Sequence, residues 1–404
     1  MTGRISLLDR ARLIPESRLL FFASSTTLCY KRLQPTTLPP LEETSPQTDY
    51  ARQDEHFARA LAVLQQAIQD HAFPGCALSI LHRGKLVALK ALGRFTYDPG
   101  SPAVQADTIF DLASVSKVVA TTSMAMLLYE RGQLDLEAPL VSLLPDFAGD
   151  DLRREQVTVR LLLAHSSGLP AYERLFERAR TRQELLRAAF AMPLTADPGT
   201  RAEYSDIGFI ILGELLARLA DEPIDRFCQR EVFGPMGMSQ TGFCPPASSR
   251  TQIPPTVNDR TFRHRVVQGE VHDENASVMG GVAGHAGVFA PAADVALFAH
   301  AMLNGGRPIL RPETVALFTR RQASPPGTSR ALGWDTPSQP SQSGCRLSQT
   351  AFGHLGYTGT SLWIDPDLQL AVTLLTNRTW PDHSSQAIKQ VRPRFHDAVV
   401  ESLM

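Results

Sequence analysis

The sequence predicts an α/β (α+β) sandwich, with a central antiparallel sheet flanked by helices and an inserted, mostly helical subdomain. Three observations predict it. Two apolar, β-prone runs lie early in the chain around the turn His82-Arg83-Gly84-Lys85, two more lie near its end around Asp365-Pro366-Asp367, and the pattern between them is helical. Sheet residues drawn from both ends of the chain, with helices inserted between, leave a cleft where sheet and insertion meet.

Pro35, Pro39, Pro40 and Pro46 lie among Thr and Glu in a stretch too poor in apolar residues to pack. Residues 1–50 therefore read as a leader or flexible segment, and one folded domain is expected over 51–404. Phe57, Leu61, Leu64 and Ile68 recur at three- and four-residue steps, the mark of an amphipathic helix that stops before Phe73-Pro74-Gly75. Residues 76–81 and 86–92 then read as a hairpin. Helical patterns at 115–130, 159–165, 206–220 and 294–303 follow, separated by loops rich in Pro, Gly and Asp, so that the insertion spans about 115–290. Strands at 361–364 and 369–376 and a terminal helix at 386–403 close the domain.

Composition excludes several classes of function. Forty basic against forty-one acidic residues leave a net charge of -1, too little to hold nucleic acid or an anionic membrane through a whole-chain field. The five cysteines are odd in number and scattered, with no C-x-x-C pair and no metal-ligand spacing. No run approaches the roughly 18 apolar residues of a membrane span, so no integral membrane segment is expected. Residues 19–28, after Arg10, Arg12 and Arg18, resemble a signal peptide, whereas Asp9, Glu16 and the lack of an A-x-A-like site weigh against export. Compartment and oligomeric state stay open.

The chain has only five lysines, which makes Ser114-Val115-Ser116-Lys117 informative. Three residues apart at a helix start, the lysine amine can reach the serine hydroxyl, and the apolar flanks 109–113 and 118–120 argue that Lys117 is buried and its charged form disfavoured. The plain alternative is an N-cap serine beside a solvated lysine. Tyr204-Ser205-Asp206 opens the apolar run 207–212; taken alone, it reads first as a helix cap. His354-Leu355-Gly356-Tyr357-Thr358-Gly359-Thr360 is a Gly-rich approach to a strand, where backbone N–H groups can come close to a ligand, or an ordinary turn.

In this order and spacing, the three elements resemble the serine β-lactamase-related, penicillin-binding-protein-like family of class C β-lactamases, D-alanyl-D-alanine carboxypeptidases and related esterases. The stretches 157–170, 233–238 and 331–335 look like further landmarks, so the resemblance covers roughly residues 55–380. It implies the β-lactamase/transpeptidase-like sandwich. It also implies that Ser114 is the nucleophile, Lys117 its base and Tyr204 the general acid/base tyrosine, with His354, Gly356, Tyr357 and Asp206 at the substrate. The N–H groups of Ser114 and Tyr357 match the family's oxyanion hole. Two positions depart from the pattern: Asp206 stands where an asparagine is usual and cannot donate to a substrate carbonyl, and His354 stands where class C enzymes have lysine.

Residues 271–287 are dense in polar residues and resemble a subgroup labelled as D-alanyl-D-alanine carboxypeptidases. His272, Asp273, Asn275 and His285 are expected to form a cleft wall. Their irregular spacing puts no two ligands on one helix face, so no metal and no cofactor is expected. His165 reads as a structural hydrogen-bonding residue. The expected function is an acyl-serine hydrolase of an amide or ester carbonyl, with a D-alanyl peptide, a β-lactam or an ester as substrate. A broad carboxylesterase of the same fold and a catalytically silent penicillin-binding or sensing protein are the alternatives.

Overall fold

The structure, a computed structural model, describes residues 45–404. The signal-like run at 19–28 lies outside the described residues. The main sheet contains β1 (Gln47–Thr48), β2 (Gly75–His82), β3 (Lys85–Gly93), β4 (Phe352–Leu355), β5 (Ser361–Asp365) and β6 (Leu370–Thr376). Their order across the sheet is β1-β3-β2-β6-β5-β4, antiparallel throughout except for β1 along β3. The early and late strands meet at its centre, where Cys76 opposes Thr376 and His82 opposes Leu370. β1 precedes residue 51, so pairing with the sheet begins a few residues earlier than composition suggests.

Helices flank both faces: α1 (Ala58–Gln69), α2 (Ser123–Glu130), α3 (Asp206–Ala220), α4 (Ala292–Leu303) and α5 (Ile388–Leu403) are the principal ones. Strand β2 shows why the sheet is sandwiched. Successive side chains point to opposite faces, so Cys76, Leu78 and Ile80 pack with Leu61 and Leu64 of α1 and Phe395 and Val399 of α5. Ala77 and Leu81 belong to the other core, with Phe298 of α4 and the apolar residues of the insertion. Among the described residues, no helix is long and apolar enough to cross a membrane.

The pattern at 115–130 predicts one helix, and the structure divides it. A 3₁₀ turn at Ala113–Val115 leads to a π-helical stretch at Lys117–Thr122 and then to α2. Four β-branched residues, Val118, Val119, Thr121 and Thr122, crowd that stretch, and Ser123 Oγ donates to Val118 O, five residues back, at 3.0 Å.

A small sheet pairs Phe110–Asp111 with Val288–Ala290, which also pairs with Gly242–Phe243. It fixes the run into Ser114 against the segment that follows His285. Helix α3 approaches the same segment in backbone contact: a Cβ on Gly284 would lie 2.2 Å from Phe209 O, and one on Gly213 would lie 2.7 Å from Gly284 Cα. Gly284→Ala should therefore destabilise the protein by about 1–3 kcal/mol, the usual cost of overpacking. Urea unfolding measures it, and an unchanged midpoint would show that the loop yields freely.

Candidate active site

The residues before Ser114 are held under strain. Ala113 has φ +49°, the left-handed region, which costs a residue with a Cβ about 1–2 kcal/mol. The buried Asp111 carboxylate compensates by accepting the N–H groups of Ala113 at 2.8 Å and His272 at 2.7 Å. Burial pushes Asp111 up to about 6 against those two bonds. The result is a partly exposed Ser114 on a fixed turn.

Lys117 has no solvent exposure, and its ammonium donates to Ser114 Oγ at 3.0 Å, Asp206 Oδ1 at 2.7 Å and the His285 carbonyl at 2.8 Å. Burial lowers its pKa below the ordinary lysine value, while the charge and hydrogen bond of Asp206 work in the opposite direction. Tyr204 lies beside this group, its ring centroid 4.9 Å from Lys117 Nζ, and lines the same cavity as Ser114 and Asp206. Burial and the Asp206 charge raise Tyr204 well above an ordinary phenol, so it rests as the neutral phenol. The phenolate is the disfavoured state. His165 is a strut: its buried ring accepts Ser205 N–H on Nδ1 at 3.0 Å and packs 4.7 Å from Tyr204.

Ser114, Tyr204, Asp206, His354, Gly356 and Tyr357 all line one cavity of about 790 Å³. The turn carrying Tyr357 is tied from two sides. Thr358 and Thr360 donate their hydroxyls to the carbonyls of Asp111 and Leu112, each at 2.9 Å, which links it to the strand before Ser114. Gly356 permits this closeness, because a Cβ there would lie 1.8 Å from Thr360 Oγ1. From the other side, Arg392 of α5 donates to the carbonyls of Gly356 at 2.6 Å, Thr360 at 2.7 Å and Gly359 at 3.3 Å. Tyr357 N–H, inside this clamped turn, makes no hydrogen bond among the described residues.

His354 departs from what a lysine would do at its place. It is 3% exposed, and burial followed by the charges of Lys117 and Arg330 holds its pKa well below the ordinary value, so it is neutral. Its Nδ1–H donates to Leu355 O at 2.8 Å, which leaves Nε2 a bare acceptor. The expected cleft wall divides as well. His272 and Asp273 line the cavity, and His285 lies buried behind Asp273, its Nε2 2.8 Å from Oδ1. Asn275 is a correction: fully buried, it accepts Phe176 N–H and donates to Glu173 O, each at 2.9 Å, so it braces the loop at 173–176 and does not face the cavity. Among the described residues, no group of three or more His, Cys, Asp or Glu could hold a metal ion.

Sequence reasoning missed Arg330, Arg378 and Arg392, which also line the cavity. One signal was available: Arg392 falls on the apolar stripe of α5, between Ile388 and Phe395, where a charge needs a buried purpose.

Residues 60–392 match the family model described as Beta-lactamase. The chain belongs to the beta-lactamase family. It is 33% identical over 343 residues to N-acetylmuramyl-L-alanine amidase of Bacillus subtilis (strain 168), covering 76% of this chain and 77% of that relative. It is 31% identical over 364 residues to a Salmonella agona (strain SL483) protein named as a D-alanyl-D-alanine carboxypeptidase, covering 80% and 82%. Among solved structures, EstCE1, described as a hydrolase with promiscuous acyltransferase activity, matches with a TM-score of 0.71 at 23% identity, covering 87% of this chain and 100% of that one. That likeness concerns the fold, the β-lactamase/transpeptidase-like sandwich.

If neutral Lys117 takes up the Ser114 proton, kcat/KM should rise with pH along a limb whose midpoint lies below the ordinary lysine pKa. The Asp206 charge raises that pKa, so Asp206→Asn should move the midpoint to lower pH. The profile with p-nitrophenyl acetate measures this; an upward shift would contradict the coupling.

Proposed function

We propose that this chain is a serine hydrolase that cleaves an amide of a peptidoglycan-type fragment through an acyl-enzyme on Ser114. The observation that carries the proposal is the fully buried Lys117 Nζ, 3.0 Å from Ser114 Oγ on the floor of the cavity. In the neutral form favoured by burial, Lys117 accepts the Ser114 proton as Oγ attacks the carbonyl carbon. The N–H groups of Ser114 and Tyr357 receive the oxyanion, preorganised by the threonine and Arg392 ties. Tyr204, a phenol between Ser114 and Asp206, passes the proton to the leaving nitrogen. Water then enters by the reverse route and releases the acid.

Two observations support an amide with an anionic partner group. The relatives above carry the names of an amidase and a carboxypeptidase, both acting on amides. Arg378 lines the cavity with no carboxylate in ion-pair distance among the described residues, and its hydrogen bonds run from Nε to Tyr357 O and from Nη1 to Ser385 O, so a substrate carboxylate would meet a cation without a counterion. The neutral His354 does not contribute to that charge.

The test is product analysis with intact-mass measurement after incubation with an N-acetylmuramyl-L-alanyl peptide, a D-alanyl-D-alanine peptide and p-nitrophenyl acetate. Release of an L-alanyl peptide or of D-alanine is expected, with a transient adduct on Ser114. Ser114→Ala should remove the adduct and lower turnover at least ~10³-fold, since nucleophile and base act as a unit. Near-wild-type hydrolysis by that variant would sink the assignment.

A further inference from the structure

The polar segment at 271–287 holds groups that the reaction above leaves unused. Asp273 caps the helix Glu274–Val278 through Oδ1, which accepts Ala276 N–H at 2.7 Å and the His285 ring at 2.8 Å. Both bonds fall on one oxygen. Oδ2 has no hydrogen-bond partner among the described residues, and the side chain, 21% exposed, lines the cavity. Burial alone would raise Asp273, yet the charge and hydrogen bond of His285, the Ala276 N–H and Lys117 together hold it well below the ordinary carboxylate range. An ionised oxygen therefore stands open at the wall.

A second observation points to the same wall. His272 is 7% exposed and lines the cavity, and its Nδ1 has no partner. Burial keeps it neutral, pushing it down to about 3. Buried polar atoms are almost always paired, so the buried, unpaired Nδ1 of His272, next to the partly exposed and unpartnered Oδ2 of Asp273, calls for a ligand that pairs them.

Resting on the hydrolase reading above, we propose that Asp273 and His272 form a subsite for a substrate N–H donor, an ammonium or an amide N–H held against Asp273 Oδ2. His285 is the positioning residue: by donating to Oδ1, it turns Oδ2 toward the cavity. With Arg378 and Arg392 lining the same cavity, the preferred ligand carries both an N–H group and a carboxylate, as a small peptide does.

Binding is measured by calorimetry in the Ser114→Ala background, so that no turnover is needed. The probes are D-alanyl-D-alanine, N-acetyl-D-alanyl-D-alanine and O-acetyl-D-lactate, which keeps the carboxylate but has no N–H. Asp273→Asn retains an oxygen for Ala276 and His285, and asparagine is a good N-cap, so the fold should survive; Asp273→Ser serves if it does not. Loss of the charged acceptor should weaken N–H-bearing ligands at least ~10-fold more than O-acetyl-D-lactate. A loss confined to the free amine identifies an ammonium subsite; a loss on both peptides identifies an amide N–H. An equal change for all three probes, or no binding of either peptide at millimolar concentration, overturns the subsite. N–H-dependent binding, with no turnover of the N-acetylmuramyl-L-alanyl peptide, the D-alanyl-D-alanine peptide or p-nitrophenyl acetate by the unsubstituted protein, would sink the hydrolase reading and leave the subsite standing.

Discussion

Taking the Lys117 ammonium out of water costs several kcal/mol unless acceptors replace the lost hydration. An ammonium has three protons, and this one has three acceptors from three separate segments: Ser114 on the preceding turn, Asp206 at the head of α3, and the carbonyl of His285. Each acceptor imposes a packing condition. The His285 carbonyl reaches Lys117 because glycines face each other at 213 and 284, and the Ser114 turn is aligned by the small sheet that joins Phe110–Asp111 to Val288–Ala290. Asp206 supplies the countercharge. An asparagine there could accept the same bond but would leave the cation uncompensated, so the carboxylate fits a site in which lysine is wholly buried. The same carboxylate raises Tyr204, which ties the protonation of the phenol to that of the lysine.

Oxyanion stabilisation by Ser114 and Tyr357, as proposed, would depend on a different constraint, the rigidity of a turn far away in sequence. Backbone donors act on a developing charge only if they do not reorient when it forms. The turn at 356–360 has its carbonyls occupied by Arg392 from behind and its threonine hydroxyls bound to the strand before Ser114. The two N–H groups that would flank an oxyanion are thereby joined through short hydrogen bonds and not through a flexible loop. Burial of Arg392 without a carboxylate makes sense in these terms, since three carbonyl dipoles and the Gln342 side chain take the place of a counterion.

Local features of the site were legible in the sequence because they are local. Ser114 and Lys117 are three residues apart, Tyr204 opens a helix by pattern, and β2, β3, β5 and β6 show apolar runs between turns. What sequence did not reveal depends on neighbours from elsewhere in the fold. The place of His354 was readable, but its charge was not, because its neutrality follows from burial beside Lys117 and Arg330. Asn275 stands beside residues that do face the cavity; only the position of the loop at 173–176 shows that its amide is already committed. The π-helical stretch after Ser116 escaped because its apolar pattern is also compatible with an α-helix, and β-branched crowding tips the balance only within the packed core.

The neutral state of His354 follows from the charge distribution of the cavity as a whole. Lys117, Arg330, Arg378 and Arg392 already surround it with cations, and Lys117 and Arg330 act directly against its protonation. A lysine at 354 would add a further buried charge beside Lys117 and Arg330, the cations that already oppose protonation at this position. In this chain Asp206 is engaged with Lys117, and Asp335 lies beside Arg330 at 3.5 Å. Imidazole resolves the conflict: it fills the position beside Tyr204, satisfies Leu355 O with one nitrogen and presents the other as an acceptor. Asp206 in place of asparagine and His354 in place of lysine therefore act together, the first adding a negative charge beside Lys117 and the second withholding a positive one near Tyr204. Their combined effect lowers the net positive charge around the Ser114 hydroxyl, while Arg378 keeps its charge on the cavity wall without a carboxylate partner among the described residues.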